Sequence, residues 1–159
     1  MNLRTALTHT APAKRVMSLK EPTLKMSKSH ADSRSRILLT DSPDDIHMKV
    51  RAALTDSDAG ITYDPVRRPG VSNLIEILSH LDGRSCDDLS LEYKSASLRA
   101  LKEDLASRIS GHLQGIRERY YSLIEDNSGY LDTVTEQGAH AARANADVTM
   151  KQIRIAMGL

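Results

Sequence analysis

The chain has 159 residues, of which 40% are apolar but only 3% aromatic, with neither Phe nor Trp. That length is enough for one domain with a real core, and the core must be built from Leu, Ile, Val, Ala and Met, a composition that suits helix-on-helix packing. The net charge of +1 conceals an asymmetry: residues 1–36 hold eight Lys and Arg against two acids, while 37–159 hold fourteen against nineteen, so anion-directed chemistry is concentrated at the front. A single Cys86 excludes an internal disulfide, and the six histidines never pair at helical spacing, so no metal site is predicted. No apolar run approaches the roughly 18 residues that would span a membrane.

In chain order, Met1 to Arg15 shows no period and reads as loop, although the acid-free Arg, Lys and Thr content of Met1 to Lys20 has the look of a mitochondrial transit peptide. Val16-Met17-Ser18-Leu19 is a short candidate strand bounded by Pro22. The run Lys25-Met26-Ser27-Lys28-Ser29 follows, in a stretch without an acid from Pro22 to Ala31. Its ammonium groups, hydroxyls and backbone N–H groups suit a phosphate oxygen; composition alone favours a solvated loop. Ser33 to Thr40 is expected to be extended or irregular.

A helix start is spelled by Ser42 as N-cap, Pro43 at the first position and Asp44-Asp45 in the first turn. This helix is predicted to run to about Thr55 with Ile46, Val50, Ala53 and Leu54 on one face. Turns follow at Gly60, Pro65 and Pro69. A second helix is predicted over Val71 to Leu81, with Leu74, Ile75, Leu78 and Leu81 at helical spacing and Gly83 as its stop. Ser85 and Asp88 cap a brief helix through Tyr93. Leu98, Leu101, Leu105, Ile109, Leu113, Ile116, Tyr120 and Leu123 then step by three and four, marking a long amphipathic helix. After a turn at Asn127 to Gly129, the last helix covers about Tyr130 to Met157, with Val134, Ala141, Val148 and Ile155 seven apart. Gly138 and Ala142 would allow close packing, and the two long helices are expected to form an antiparallel hairpin completed by the shorter ones.

Other polar groups are less specific. Asp44-Asp45 and Asp87-Asp88 sit at helix starts, where capping explains them, and Asp56 and Asp58 read as structural loop residues. Arg117, Arg119, Tyr120 and Tyr121 late in the long helix offer guanidinium and ring faces to an RNA, against the plainer reading of a solvated face with Tyr120 in the core.

Taken with Val16-Met17-Ser18-Leu19 and Glu21-Pro22-Thr23 before it, the Lys25 to Ser29 run resembles the second signature of class I aminoacyl-tRNA synthetases. Thr55-Asp56-Ser57, Ile61 to Pro65, Arg68 to Leu74 and the closing Ala156-Met157-Gly158-Leu159 narrow the likeness to the tryptophanyl-tRNA synthetases of bacterial and mitochondrial type, from about Ala13 to the C-terminus. The resemblance implies a mainly α fold: an antiparallel helical bundle (41–159, the anticodon-side domain) preceded by a remnant of the class I nucleotide-binding (Rossmann) fold (1–40). It implies tryptophan–tRNA ligase activity, with ATP, taken with Mg2+, and tryptophan and tRNA(Trp) as substrates.

Lys25 and Lys28 would be the pyrophosphate contacts, Lys28 foremost in transition-state stabilisation. Val16 and Met26 would bring backbone to the nucleotide, Ser27 and Ser29 would shape the loop, and Arg117, Arg119 and Tyr121 would lie on the tRNA side. Two departures stand out. His30-Ala31-Asp32 replaces the usual Asp-Pro after the signature, and no His-x-Gly-His run occurs, since Gly111-His112 lies inside the long helix. The expectation is therefore an incomplete piece of the enzyme that does not activate tryptophan by itself; the alternative is a non-catalytic RNA-binding or partner-binding helical module. Without its sheet neighbours the Val16 to Leu19 strand is expected to be an exposed edge or disordered. The N-terminal stretch is read as interior to a catalytic domain rather than as a leader. Family members are homodimers, with the dimer surface largely outside these residues. The Thr40-Asp41-Ser42-Pro43 and Tyr63-Asp64-Pro65 runs favour the mitochondrial matrix over a bacterial cytoplasm.

Overall fold

The computed structural model describes residues 15–159; expectations that fall on Met1 to Lys14 lie outside the described residues. The chain is mainly α. Among the described residues there are five α-helices and no strand: α1 (Pro43–Arg51), α2 (Pro69–Asp82), α3 (Cys86–Glu92), α4 (Leu98–Ile124) and α5 (Tyr130–Met157), with a 3-10 turn at Ser33–Ser35 where irregular chain was expected. The described residues fall into two compact units, 15–117 and 118–159.

The first unit contains the core. Ile46 and Val50 of α1, Val71, Leu74, Ile75 and Leu78 of α2, Leu89 of α3, and Leu101, Leu105 and Ile109 of α4 are buried together with Leu19 and Ile61. The start of α1 is the one its sequence spells: Ser42 Oγ accepts from the Asp45 N–H at 3.1 Å, and the Asp45 carboxylate accepts from the Ser42 N–H at 3.2 Å. The helix stops at Arg51, four residues short of Thr55. The reason is tertiary. The Leu54 N–H turns to the Leu19 carbonyl at 2.7 Å instead of continuing the helical ladder. Lys20 Nζ donates to the Ala52 carbonyl at 3.2 Å and Lys102 Nζ to that of Ala53 at 2.8 Å, two cations on the negative end of the helix. Leu54, expected on the buried face, is exposed as a result.

Pro69 opens α2 instead of making a turn, because its ring presets the first helical position and its missing N–H is not needed there. Gly70 follows under tight constraint: a Cβ there would lie 2.3 Å from the Leu54 carbonyl oxygen. Gly83, at φ +69°, ends α2 as expected. Ser85 caps α3 through the Asp88 N–H at 3.1 Å.

The loop before α2 is organised by the buried Arg68. Its guanidinium donates to the Asp56 carboxylate, at 2.6 Å for the shortest bond, to Thr62 Oγ1 at 2.9 Å and to the Gly60 carbonyl at 3.0 Å. Arg68 holds the Asp56 carboxyl below its ordinary pKa, so Asp56 is a structural anion. A second buried pair joins Lys49 Nζ to Asp41 Oδ2 at 2.5 Å, and Arg117 Nη1 reaches the Asp41 carbonyl at 3.0 Å.

In the second unit, the Asp126 carboxylate accepts from the Ser128 N–H at 2.9 Å, and Gly129, at φ +78°, starts α5. The helix spans the residues its sequence predicts, but none of them is buried. Val134, Val148 and Ile155 are exposed, and a Cβ added to Gly138 would meet nothing within 4 Å, so the close packing expected there is absent. Likewise the apolar stripe of α4 is buried only at Leu101, Leu105, Ala106 and Ile109; Ile116 and Tyr120 are exposed. A helical period marks a face able to pack, and burial needs a surface to meet it.

Candidate functional site

The segment Val16 to Leu19 was expected to be an exposed edge or disordered; only its first residue, Val16, is exposed, and Met17 is half-buried. Ser18 and Leu19 are each only 1% exposed, and the backbone is paired although no sheet is present. The Met26 N–H donates to the Val16 carbonyl at 2.9 Å and the Ser18 N–H to the Leu24 carbonyl at 2.8 Å, around an antiparallel bridge between Met17 and Lys25. On the other side, the amide of Asn73 on α2 stands in for a neighbouring strand. Its Oδ1 accepts from the Met17 N–H and its Nδ2 donates to the Met17 carbonyl, both at 3.1 Å. The Leu19 N–H continues to the Ser35 carbonyl at 2.9 Å. Burial without these partners would leave polar backbone unpaired, so Asn73 is what lets the segment exist here.

Lys25 to Ser29 leaves this paired base as an outward loop. Ser27 Oγ lies 2.9 Å from Ser29 Oγ, which closes the turn around Lys28. His30, at the loop's exit, ties back to its entry: Nε2 is 2.8 Å from Glu21 Oε1, while the Asp32 N–H donates to Nδ1 at 3.0 Å. The Nε2 proton is therefore the one directed at Glu21, and Glu21 holds the imidazole pKa above its ordinary value. The adjoining Asp32 carboxyl is brought down to about 2, chiefly by its hydrogen bonds from Arg34.

A cavity of about 400 Å3 lies against the loop, lined by Arg15, Val16, Lys25, Met26, Ser27 and Lys28 and, from a separate segment, by Arg36, Ile37 and Leu38. Its lining includes four cations and no carboxylate. The nearby acids Glu21 and Asp32 are engaged by His30 and Arg34 respectively. Such a wall is chemically suited to an anion bearing several charges. It offers no oxygen ligand set for a bare divalent ion, and among the described residues no group of three or more His, Cys, Asp or Glu is gathered to hold one.

The structure thus brings Val16, Lys25, Met26, Ser27 and Lys28 to one cavity, with Ser29 closing the turn beside it. The residues expected on the RNA side are not gathered there. Arg117 belongs to the first unit and is held by the Asp41 carbonyl. Arg119, Tyr120 and Tyr121 belong to the second; the two rings meet edge to face at 5.4 Å and Tyr120 is exposed, not in a core.

Residues 1–114 match the family described as tRNA synthetases class I (W and Y). The chain belongs to this family. Among curated relatives it is similar to the tryptophan–tRNA ligases of Bacillus subtilis, at 37% identity over 91% of the chain, and of Listeria monocytogenes serotype 4b, at 39% over 91%. It spans 43% of the length of each of these relatives. The crystal structure of tryptophanyl-tRNA synthetase from Mycoplasma pneumoniae superposes with a TM-score of 0.75 at 27% identity, covering 91% of this chain and 44% of that one. That from Campylobacter jejuni complexed with ADP and tryptophan gives 0.69 at 23%, a likeness of fold.

Two contributors were not legible as site residues in this class I chain. Asn73 stands beside Ser72 between Val71 and Leu74-Ile75 of α2, and a polar residue buried at such a place must have a partner. Arg36 lies beyond the signature, among basic residues that look alike in sequence; only the geometry separates it from the paired Arg34.

Proposed function

We propose that this chain carries the phosphate-facing part of a tryptophan–tRNA ligase, with residues 1–40 from the catalytic domain and 41–159 forming the anticodon-side helical domain. The observation that carries the reading is the cavity lined by Lys25, Lys28, Arg15 and Arg36 without a carboxylate, together with Val16 and Met26. In amino-acid activation the tryptophan carboxylate attacks the α-phosphorus of ATP, forming the acyl–phosphate bond as the bond to pyrophosphate breaks. Catalysis there is positioning and stabilisation of charge that builds on the leaving group.

Lys28 and Lys25 on the loop supply that charge, Lys28 foremost, and the loop's motion releases the product. Val16 and Met26 present backbone to the nucleotide, while Ser27 and Ser29 keep the turn around Lys28. Mg2+ would be taken as the ATP complex, where it would neutralise part of the phosphate charge beside Lys25 and Lys28. The tRNA(Trp) side is assigned to Arg119 and Tyr121; Arg117 serves first as a tie to Asp41. The opposing phosphate contacts and the tryptophan pocket come from outside these 159 residues, as does most of the homodimer surface, and the compartment is the mitochondrial matrix.

The test is binding and turnover by residues 1–159. ATP is expected to shift the amide resonances of Val16 and Met26, with affinity weakened about tenfold by Lys28→Ala, and tryptophan-dependent ATP–pyrophosphate exchange is expected to be absent. Equal ATP affinity in Lys28→Ala would sink the assignment of the loop, and exchange that Lys28→Ala abolishes would show that these residues suffice.

A further inference from the structure

We propose that Arg36 is a further cationic ligand of the polyphosphate in this cavity, mounted more rigidly than the two lysines of the loop; this rests on the reading of the cavity as an ATP phosphate site. The two lysines project from an outward loop. Arg36 comes instead from a segment locked to the core on both sides. Before it, the buried Ser35 accepts the Leu19 N–H at 2.9 Å. After it, the Leu38 N–H donates to Asp41 Oδ2 at 2.8 Å, and Asp41 is the buried partner of Lys49.

The guanidinium itself is aimed by one bond, Nη1 to the His30 carbonyl at 2.9 Å. That leaves Nε and Nη2 as donors. No carboxylate pairs with Arg36 among the described residues, whereas Arg34, two positions earlier, is bound by both oxygens of Asp32. A half-buried guanidinium with spare donors, in a cavity shared with Lys25 and Lys28, is a fork ready for phosphate oxygens. Being preorganised, it loses less freedom on binding than either lysine. It also works from the end of the loop at which His30 stands, so the same side chain that aims at the anion holds the loop's exit.

The experiment is an amide chemical-shift titration of residues 1–159 with inorganic pyrophosphate, comparing wild type, Arg36→Gln, Arg36→Lys and Lys28→Ala. Arg36→Gln is expected to weaken binding about tenfold and Arg36→Lys about threefold, because lysine restores the charge without the fork. Unshifted Ser18 and Leu19 amides verify that the base is intact; Arg36→Lys alone carries the comparison if Arg36→Gln disturbs them. Wild-type affinity in the arginine variants, with Lys28→Ala weakened, would overturn the role of Arg36 and leave the phosphate site standing. No loss in any variant, or no saturable shift in wild type, would overturn both.

Discussion

Replacing Asn73 by Ala tests whether one side chain substitutes for a missing strand. The substitution removes two hydrogen bonds of 3.1 Å and leaves both the N–H and the carbonyl of Met17 without a partner. Each such bond is worth about 1 kcal/mol net, rising to about 3 kcal/mol where the orphaned group stays dry. Met17 is half-buried, next to the fully buried Ser18 and Leu19, so some water can reach it. The expected loss for the pair is about 2–4 kcal/mol, a large part of the ~5–15 kcal/mol typical of a domain.

Urea unfolding followed by circular dichroism reads this as a lower midpoint at unchanged slope. Hydrogen exchange supplies the local readout, since the Met17 amide should lose protection while core amides of α4 lose only what global stability dictates. Asn73→Asp sharpens the test: one oxygen keeps the Met17 N–H satisfied while the other faces the Met17 carbonyl without a proton to share, so it should destabilise as much as Ala. A loss under about 0.5 kcal/mol in Asn73→Ala, with Met17 still protected, would refute the argument that this amide holds the segment.

Two further substitutions follow from the first unit. Gly70→Ala gains up to about 1 kcal/mol of helix propensity, but its Cβ would stand 2.3 Å from the Leu54 carbonyl oxygen, which is backbone and cannot swing aside; the clash dominates, and a net loss above about 2 kcal/mol is expected by thermal or urea unfolding. Tyr93 donates to the Asp104 carboxylate, and burial followed by that carboxylate pushes the phenol up to about 12 from its ordinary 10.0. The folded state then holds the proton more tightly than the unfolded chain, so this contribution is whole below about pH 10 and is lost as pH rises toward 12. Urea midpoints from pH 9 to 12 should fall less steeply in Tyr93→Phe than in wild type; parallel curves would contradict the assignment.

The residues themselves determined the starts of α1 and α3 and the periods of the long helices. Ser42-Pro43-Asp44-Asp45 and Ser85 to Asp88 are local capping chemistry, and the limits of α4 and α5 follow from apolar spacing over many turns, so each was legible in a short window. The Lys25 to Ser29 loop was legible for the same reason, since its chemistry is contiguous.

Only the tertiary structure decided where α1 ends, because Leu19, Lys20 and Lys102 compete for its last groups from far along the chain. It also decided that the apolar stripe of α4 is buried in its first half while α5 is not buried at all. Period reports that a face is apolar and says nothing of what meets it. The cavity was settled in the same way: Val16, the loop and Arg36 line one cavity because Asn73 pairs the backbone of one wall and Asp41 anchors the other. Such long-range pairing of buried polar groups leaves no mark in local sequence.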